Sequence, residues 1–425
     1  MKLQRLLALL PLLLLFFQYE PPENIGPQEA AANDNFGAAL ALSGEILAAG
    51  APGVDLQGAR NTGAVFIFQG AGHDWREITR LTPDQPQELS GFGSAVALDG
   101  NTLAVGARFE YNPDSGNGSG AVYIYTQNGN EWALQDRLVA PDGQPFDLFG
   151  YSLALKGDTL AVGARAANTP DGRRDSGAVY LYQRSQGNWL LQTRLLPADA
   201  GANDHFGEAL ALGENELFAS APEHDAPQAS NSGIVYVYRR QGQVWTESDR
   251  LRSESVRPGA HFGARLSLGG DLLSVVASQE AHAENAPARA ILYGGDFGVV
   301  YVFQHQGEQW RQQARLAPNS QDPQNNPVLL VNAVVDSEAN GGARLAITSY
   351  GRITFFPYQL RNQEWQALEP VTPGEMFYLS EGQATAFSGD TVLLGNRFFA
   401  RADPFDQNMP QLDSAGAIFP VDWPE

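Results

Sequence analysis

Hydrophobic positions in this chain come in short runs of four to six residues, not at helical spacing. In one kind of run a large residue alternates with a small one: Ala39-Leu40-Ala41-Leu42, Ala95-Val96-Ala97-Leu98 and Ala209-Leu210-Ala211-Leu212. Successive side chains of a strand point to opposite faces. Each such run therefore predicts a strand that is bulky on one face and thin on the other. A second kind is apolar on both faces, with Val179 and Leu181 alternating with Tyr180 and Tyr182. That pattern predicts a strand covered on both sides. Gly, Asn, Asp and Pro separate the runs, which is the strand-and-turn signature.

The runs recur in a fixed order. Phe-Gly pairs stand at Phe36-Gly37, Phe92-Gly93, Phe149-Gly150, Phe206-Gly207 and Phe262-Gly263, spaced by 56, 57, 57 and 56 residues. A phrase close to Gly-Ala-Val-Tyr-Ile-Tyr opens at Gly63, Gly120, Gly177, Gly233 and Gly298. A Trp follows each of those glycines by twelve residues. Self-similarity at a fixed period points to a repeat architecture. Each unit reads as four short strands, for example from Phe92, Thr102–Ala107, Ala121–Tyr125 and Trp132–Leu138. Four-stranded sheets packed radially, with small inner residues near the axis, make a β-propeller. A sixth unit is readable around Arg352–Phe356 and Trp365, and a seventh around Ala384–Ser388, Thr391–Gly395 and Ala415–Phe419. The seventh lacks a fourth strand, and Gln18–Ile25 occupies the place of one before the first Phe-Gly. The expectation is an all-β, seven-bladed propeller of four-stranded antiparallel blades. Gln18–Ile25 is expected to close the ring near Ala417–Phe419.

Phe-Gly, then Gly50-Ala51-Pro52, Gly106-Ala107-Arg108 or Gly163-Ala164-Arg165, then Gly-Ala-Val-Tyr resembles the FG-GAP repeat. That repeat builds the N-terminal propeller of integrin α subunits and occurs in bacterial surface proteins. The resemblance is clear over residues 33–303 and degenerate over 304–425. It implies a single propeller domain over residues 21–425 and an extracellular binding role. Integrin-type blades carry a calcium loop of Asp-x-Asp-x-Asp-Gly-x-x-Asp between strands one and two. Here the matching stretches are Ser43-Gly44-Glu45, Asp99-Gly100-Asn101, Lys156-Gly157-Asp158 and Gly213-Glu214-Asn215. These read as hairpin turns. A hard cation needs six to eight oxygens, so neither a metal nor a cofactor is expected.

Residues 1–20 combine Lys2 and Arg5 with the apolar run Leu6–Phe17. That pattern predicts a signal peptide or N-terminal anchor. The protein is therefore expected outside the cytoplasm: secreted, periplasmic or on the cell surface. There is no Cys, and the net charge is −21, with Lys156 the only Lys after Lys2. Nucleic acid and anionic membranes both require positive charge. Neither is expected as a partner, and the propeller is expected to be monomeric.

Catalytic signals are weak. No zinc-type His spacing and no Gly-x-Ser-x-Gly elbow in strand-turn-helix context is present. His205 and His261 precede Phe-Gly where other units have Asn35, Gly91 and Leu148, which marks a loop position. Asn33-Asp34-Asn35 and Asp204 read as turn formers. The recurring Trp residues read as packing, not sugar platforms. The clearest functional signal is asymmetric. Connections between strands two and three are long (residues 53–62, 109–119, 166–176, 223–232, 279–297 and 398–414), except at Thr348–Gly351 in the sixth unit. Long variable loops on a repeating scaffold are where binding resides. The candidates there are Arg108, Tyr111, Arg165, Arg173, Arg174, His224 and Asp225. The function expected is a non-catalytic interaction module for an extracellular protein or glycan. The alternative is a propeller hydrolase or lyase with an axial site.

Overall fold

A computed structural model describes residues 25–424 except 28, 30, 32, 112–117, 130, 255, 282–296, 318–328, 338–341, 351–354, 372–383 and 397–415. The expected N-terminal segment, most of residues 18–25 and parts of several long loops lie outside the described residues.

The chain forms seven blades of antiparallel strands and is all-β. Blade two shows the pattern: Phe92–Asp99, Thr102–Ala107, Ala121–Asn128 and Glu131–Leu138, paired in that order. Blades one, three and four repeat it. Blades five and six are linked by the parallel pairing of Phe297, at the start of the third strand of blade five, with Leu329. Blade seven has Thr385–Ser388, Thr391–Asn396 and Ala417–Asp422. Its outer partner is Ile25, which donates to the Ile418 carbonyl at 2.8 Å and accepts from its amide at 3.0 Å. Ile25 thus pairs at the edge of blade seven that lacks a fourth strand among the described residues.

The doubly apolar third strands sit between blades. Val122 and Ile124 pack forward with Phe149, Tyr180 and Trp189 of blade three. Tyr123 and Tyr125 pack backward with Val65 and Ile67 of blade one. Burying each such side chain contributes roughly 1.5–3 kcal/mol. Every motif Phe is fully buried and meets the first aromatic of its blade's third strand edge-on: Phe92–Tyr123 at 5.2 Å, Phe149–Tyr180 at 5.3 Å, Phe206–Tyr236 at 5.5 Å. The repeat Trp residues also pack. Trp189, Trp245 and Trp310 are buried, and Trp189 Nε1 donates to Gln135 of the preceding blade at 3.3 Å.

The motif glycines are contact points between blades. A Cβ on Gly177 would fall 2.1 Å from the Phe206 carbonyl oxygen of blade four. One on Gly163 would fall 2.3 Å from the Gly207 oxygen. Only a residue without Cβ lets the backbones approach this closely.

Connections between strands one and two are two-residue turns at Gly44-Glu45, Gly100-Asn101 and Gly157-Asp158. In blade six the second strand runs through Tyr350. Thr348–Tyr350, expected as the short loop, are therefore strand residues, and the connection is residues 351–354. Thr348 pairs with Phe355, and Ser349 and Tyr350 pair back with Leu330 and Leu329 of the first strand.

Candidate functional site

A cavity of about 550 Å³ lies on the propeller axis. First strands of all seven blades line it, from Leu40, Val96, Leu153, Leu210 and Leu266 to Asn332 and Ala384. Pro52, Arg108, Phe109 and Arg165, at the start of the second-to-third connections, place its mouth on the long-loop face. Arg108 and Arg165 occupy the third position of the Gly-Ala-Pro phrase, where blade one has Pro52. The motif glycines Gly106 and Gly163 fix the backbone there, so both guanidinium groups reach the axis.

Tyr151 is sandwiched between them. The Arg108 guanidinium lies 5.3 Å and that of Arg165 5.0 Å from its ring centre. Arg108 also stacks on Phe109 at 5.0 Å. Glu208 of blade four organises the other side. It accepts from the Tyr151 hydroxyl at 2.9 Å, pairs with Arg165 at 2.7 Å, and stands 3.8 Å from Arg265. Arg165 reaches His205 Nδ1 at 2.8 Å. Three guanidinium groups and one carboxylate thus line the cavity. Arg108 has no hydrogen bond or ion pair among the described residues, and its buried Nε lacks a partner. Burial, with Arg165 adding repulsion, holds its pKa below the usual arginine range. Burial raises the Tyr151 phenol and lowers the His261 imidazole.

The structure brings Arg108 and Arg165 together and leaves the other sequence candidates apart. Tyr111 is half exposed beside the mouth, with its amide donating to Gln87. Arg173 is spent on Asp171 at 2.8 Å and the Ala200 carbonyl at 2.6 Å. Arg174 is exposed. His224 is buried, its ring 2.8 Å from Asp204 Oδ2. Asp225 accepts from the Asn231 amide at 2.8 Å, as Asp55 does from Asn61 in blade one. His224 and Asp225 therefore shape their loop from within.

Tyr151, Glu208 and Arg265 were missed. Tyr151 and Glu208 follow Phe-Gly directly, where other blades have Ala38 and Ser94, and Arg265 stands one place later, where they have Ala39, Ala95, Ser152 and Ala209, so a bulky or charged residue there was the available signal. His205 and His261 hold left-handed backbone, φ 56° and 52°, as do Asn35 and Leu148 at the matching places. They are loop positions, as their variability implied.

Other buried carboxylates are consumed structurally. Glu110 accepts from Tyr123 at 2.9 Å and from Arg137 at 2.6 Å. Glu280 does the same with Tyr301 and Arg315. Asp34, Asp147 and Asp204 each cap a turn by accepting the amide three residues back. No group of His, Asp or Glu fit for a metal ion occurs among the described residues.

Residues 23–68, 75–125, 132–182 and 189–238 match the FG-GAP repeat family. The chain carries FG-GAP repeats. Each later FG-GAP match starts in an outer strand and ends in the third strand of the next blade, so the sequence unit straddles two blades. The first starts at the N-terminal stretch that borders blade seven. The chain is 32% identical over 173 residues to integrin alpha-7 of Mus musculus, covering 36% of this chain and 14% of that protein. The FG-GAP chain thus aligns with a small part of the integrin's length. Two solved structures provisionally named 6-phosphogluconolactonases, from Bacteroides uniformis and Bacteroides fragilis, superpose with TM-scores of 0.49. They are 11% and 10% identical, covering 79% and 78% of this chain and 85% and 83% of theirs. That likeness bears on no activity.

Proposed function

We propose that this FG-GAP propeller is an exported, non-catalytic module that binds a partner protein through its long-loop face. One observation carries the reading: the two faces of the disc are unlike. One is closed by two-residue turns. The other holds the long connections, the cavity mouth, and exposed Leu89, Phe109, Tyr111 and Phe146. Exposed apolar and aromatic residues beside arginines are the composition of recognition surfaces. The charged N-terminal segment with its apolar run supports export.

A photo-crosslinking residue at Tyr111, with a matched one at Gly129 on the turn face, tests the reading in native cells. A discrete adduct is expected from position 111 and none from 129. Adducts from 129 alone would place binding on the opposite face. A reporter fused behind residues 1–20 that stays in the cytoplasm would end the export claim.

A further inference from the structure

We propose that the axial mouth is a carboxylate receptor for a partner protein: an acidic side chain, flanked by apolar residues in an extended segment, enters and pairs with Arg108 and Arg265. The inference rests on the protein-binding reading above and names the chemistry of that site.

Charge is the first support. In a chain of net charge −21, the cavity gathers three guanidinium groups against the single carboxylate of Glu208. Glu208 is already engaged by Tyr151 and Arg165. Arg265 stands farther from it, at 3.8 Å, and Arg108 has no ionic partner among the described residues. A half-buried cation that makes no ion pair among the described residues is costly, even with Glu208 acting on it at a distance. An incoming carboxylate supplies the missing charge, and the planar guanidinium offers two parallel donors to it.

Preorganisation is the second. Arg108 is pinned over Phe109 and Tyr151 by ring stacking, so little side-chain freedom remains to be lost on binding.

The rim decides between a peptide and an acidic glycan. Leu89, Phe109 and Phe146 are exposed by 55%, 46% and 75%. Their backbones are linked: the Phe109 amide donates to the Ser90 carbonyl next to Leu89, and the Phe146 amide donates to the carbonyl of Gly118, which lies near the Phe109 carbonyl. Leucine and phenylalanine side chains standing in water favour apolar peptide side chains over hydroxyl-rich sugar. Arginine at the mouth and apolar residues on the rim therefore match a segment that alternates acidic and apolar residues.

The test uses the full chain and calorimetric titration. The probes are an end-capped hexapeptide holding Glu between Leu and Phe, its Gln counterpart, and a short oligogalacturonate. The Glu peptide should bind, and the Gln peptide about tenfold or more weaker, as expected for losing a charge-assisted pair. Arg108→Gln and Arg265→Gln should each weaken the Glu peptide, with a cooperative thermal transition showing that each variant remains folded. Glu208→Gln should tighten it, because a competing carboxylate is gone. Equal binding of the Glu and Gln peptides, no binding of either, or tighter binding of the oligogalacturonate would overturn the proposal. A partner that crosslinks at position 111 yet is not displaced by the Glu peptide would sink the carboxylate receptor while leaving the loop-face reading intact. Peptide binding at the axis with crosslinks only from Gly129 would do the reverse.

Discussion

The seams between blades one to five and the seams on either side of blade six solve one packing problem in two ways. In the regular seams three glycines and a phenylalanine bring backbones together, with Ser220 in place of one glycine between blades four and five. Gly63, Gly120, Gly177 and Gly233 each lie under the Phe that begins the next blade. Around blade six the contacts among the described residues also draw on side chains. There Ser274 donates to the Ala333 carbonyl at 3.1 Å and Gly269 abuts Val335. On the far side Arg344 reaches Asp390 at 2.7 Å and lies over the rings of Phe387 and Trp423. Between blades seven and one the motif returns, with Phe36 against Gly416 and Gly37 against Gly395. Backbone contact depends on one absent atom, so it forces a recognisable sequence. Side-chain contact can be met by many sequences, so the repeat fades where it is used.

The sharpest way to break the comparison is Gly177→Val. Its Cβ would overlap the Phe206 backbone oxygen and nitrogen at 2.1 and 2.4 Å, at φ +85°. Loss of more than about 4 kcal/mol, or of soluble protein, is expected. Gly187→Ala, with a similar φ of +83° but open space around it, should cost only about 1 kcal/mol. Thermal midpoints of the two variants separate crowding from backbone strain. If they fall alike, the glycines serve turns and not seams.

A smaller effect probes the other kind of seam. Trp423 packs 5.5 Å from both Phe355 and Phe387. Trp423→Ala should cost about 3 kcal/mol, and Trp423→Phe much less. Equal midpoints for wild type and the Ala variant would show that blade seven is held by the Ile25 closure alone.

The smallest expected effect is pH-dependent. Burial pushes the Asp147 carboxyl up to about 6, against about 3.9 in an unfolded chain. With the folded value raised, its contribution is fully present below the unfolded value and lost as pH rises through about 6. Wild type should lose stability from pH 4 to 7 relative to Asp147→Asn, which has no charge to bury. Parallel melting curves of the two proteins across that range would refute the assignment. Blade two has Ser90 at the matching place and should show no such term.

Most of the architecture was legible in the chain. Strand faces, blade number and the role of the N-terminal stretch follow from periodicity, because every blade obeys the same steric rules. The separation of turn face from loop face was legible from connection lengths. The site was half legible. Arg108 and Arg165 stood out as arginines in the long connections, a residue type enriched at interfaces. His224 and Asp225 looked equally available, yet His224 is buried against Asp204, and the exposed Asp225 accepts from the Asn231 amide of its own loop.

By itself the sequence determined the propeller, since the glycine and phenylalanine spacing admits few other ways to bury strands that are apolar on both faces. Only the tertiary structure decided that Tyr151, Glu208 and Arg265 join Arg108 and Arg165. These residues lie in blades two to five and are separated by up to 157 positions along the chain. Ring closure alone carries each first strand to the axis, so their meeting depends on a radial geometry that no local pattern encodes.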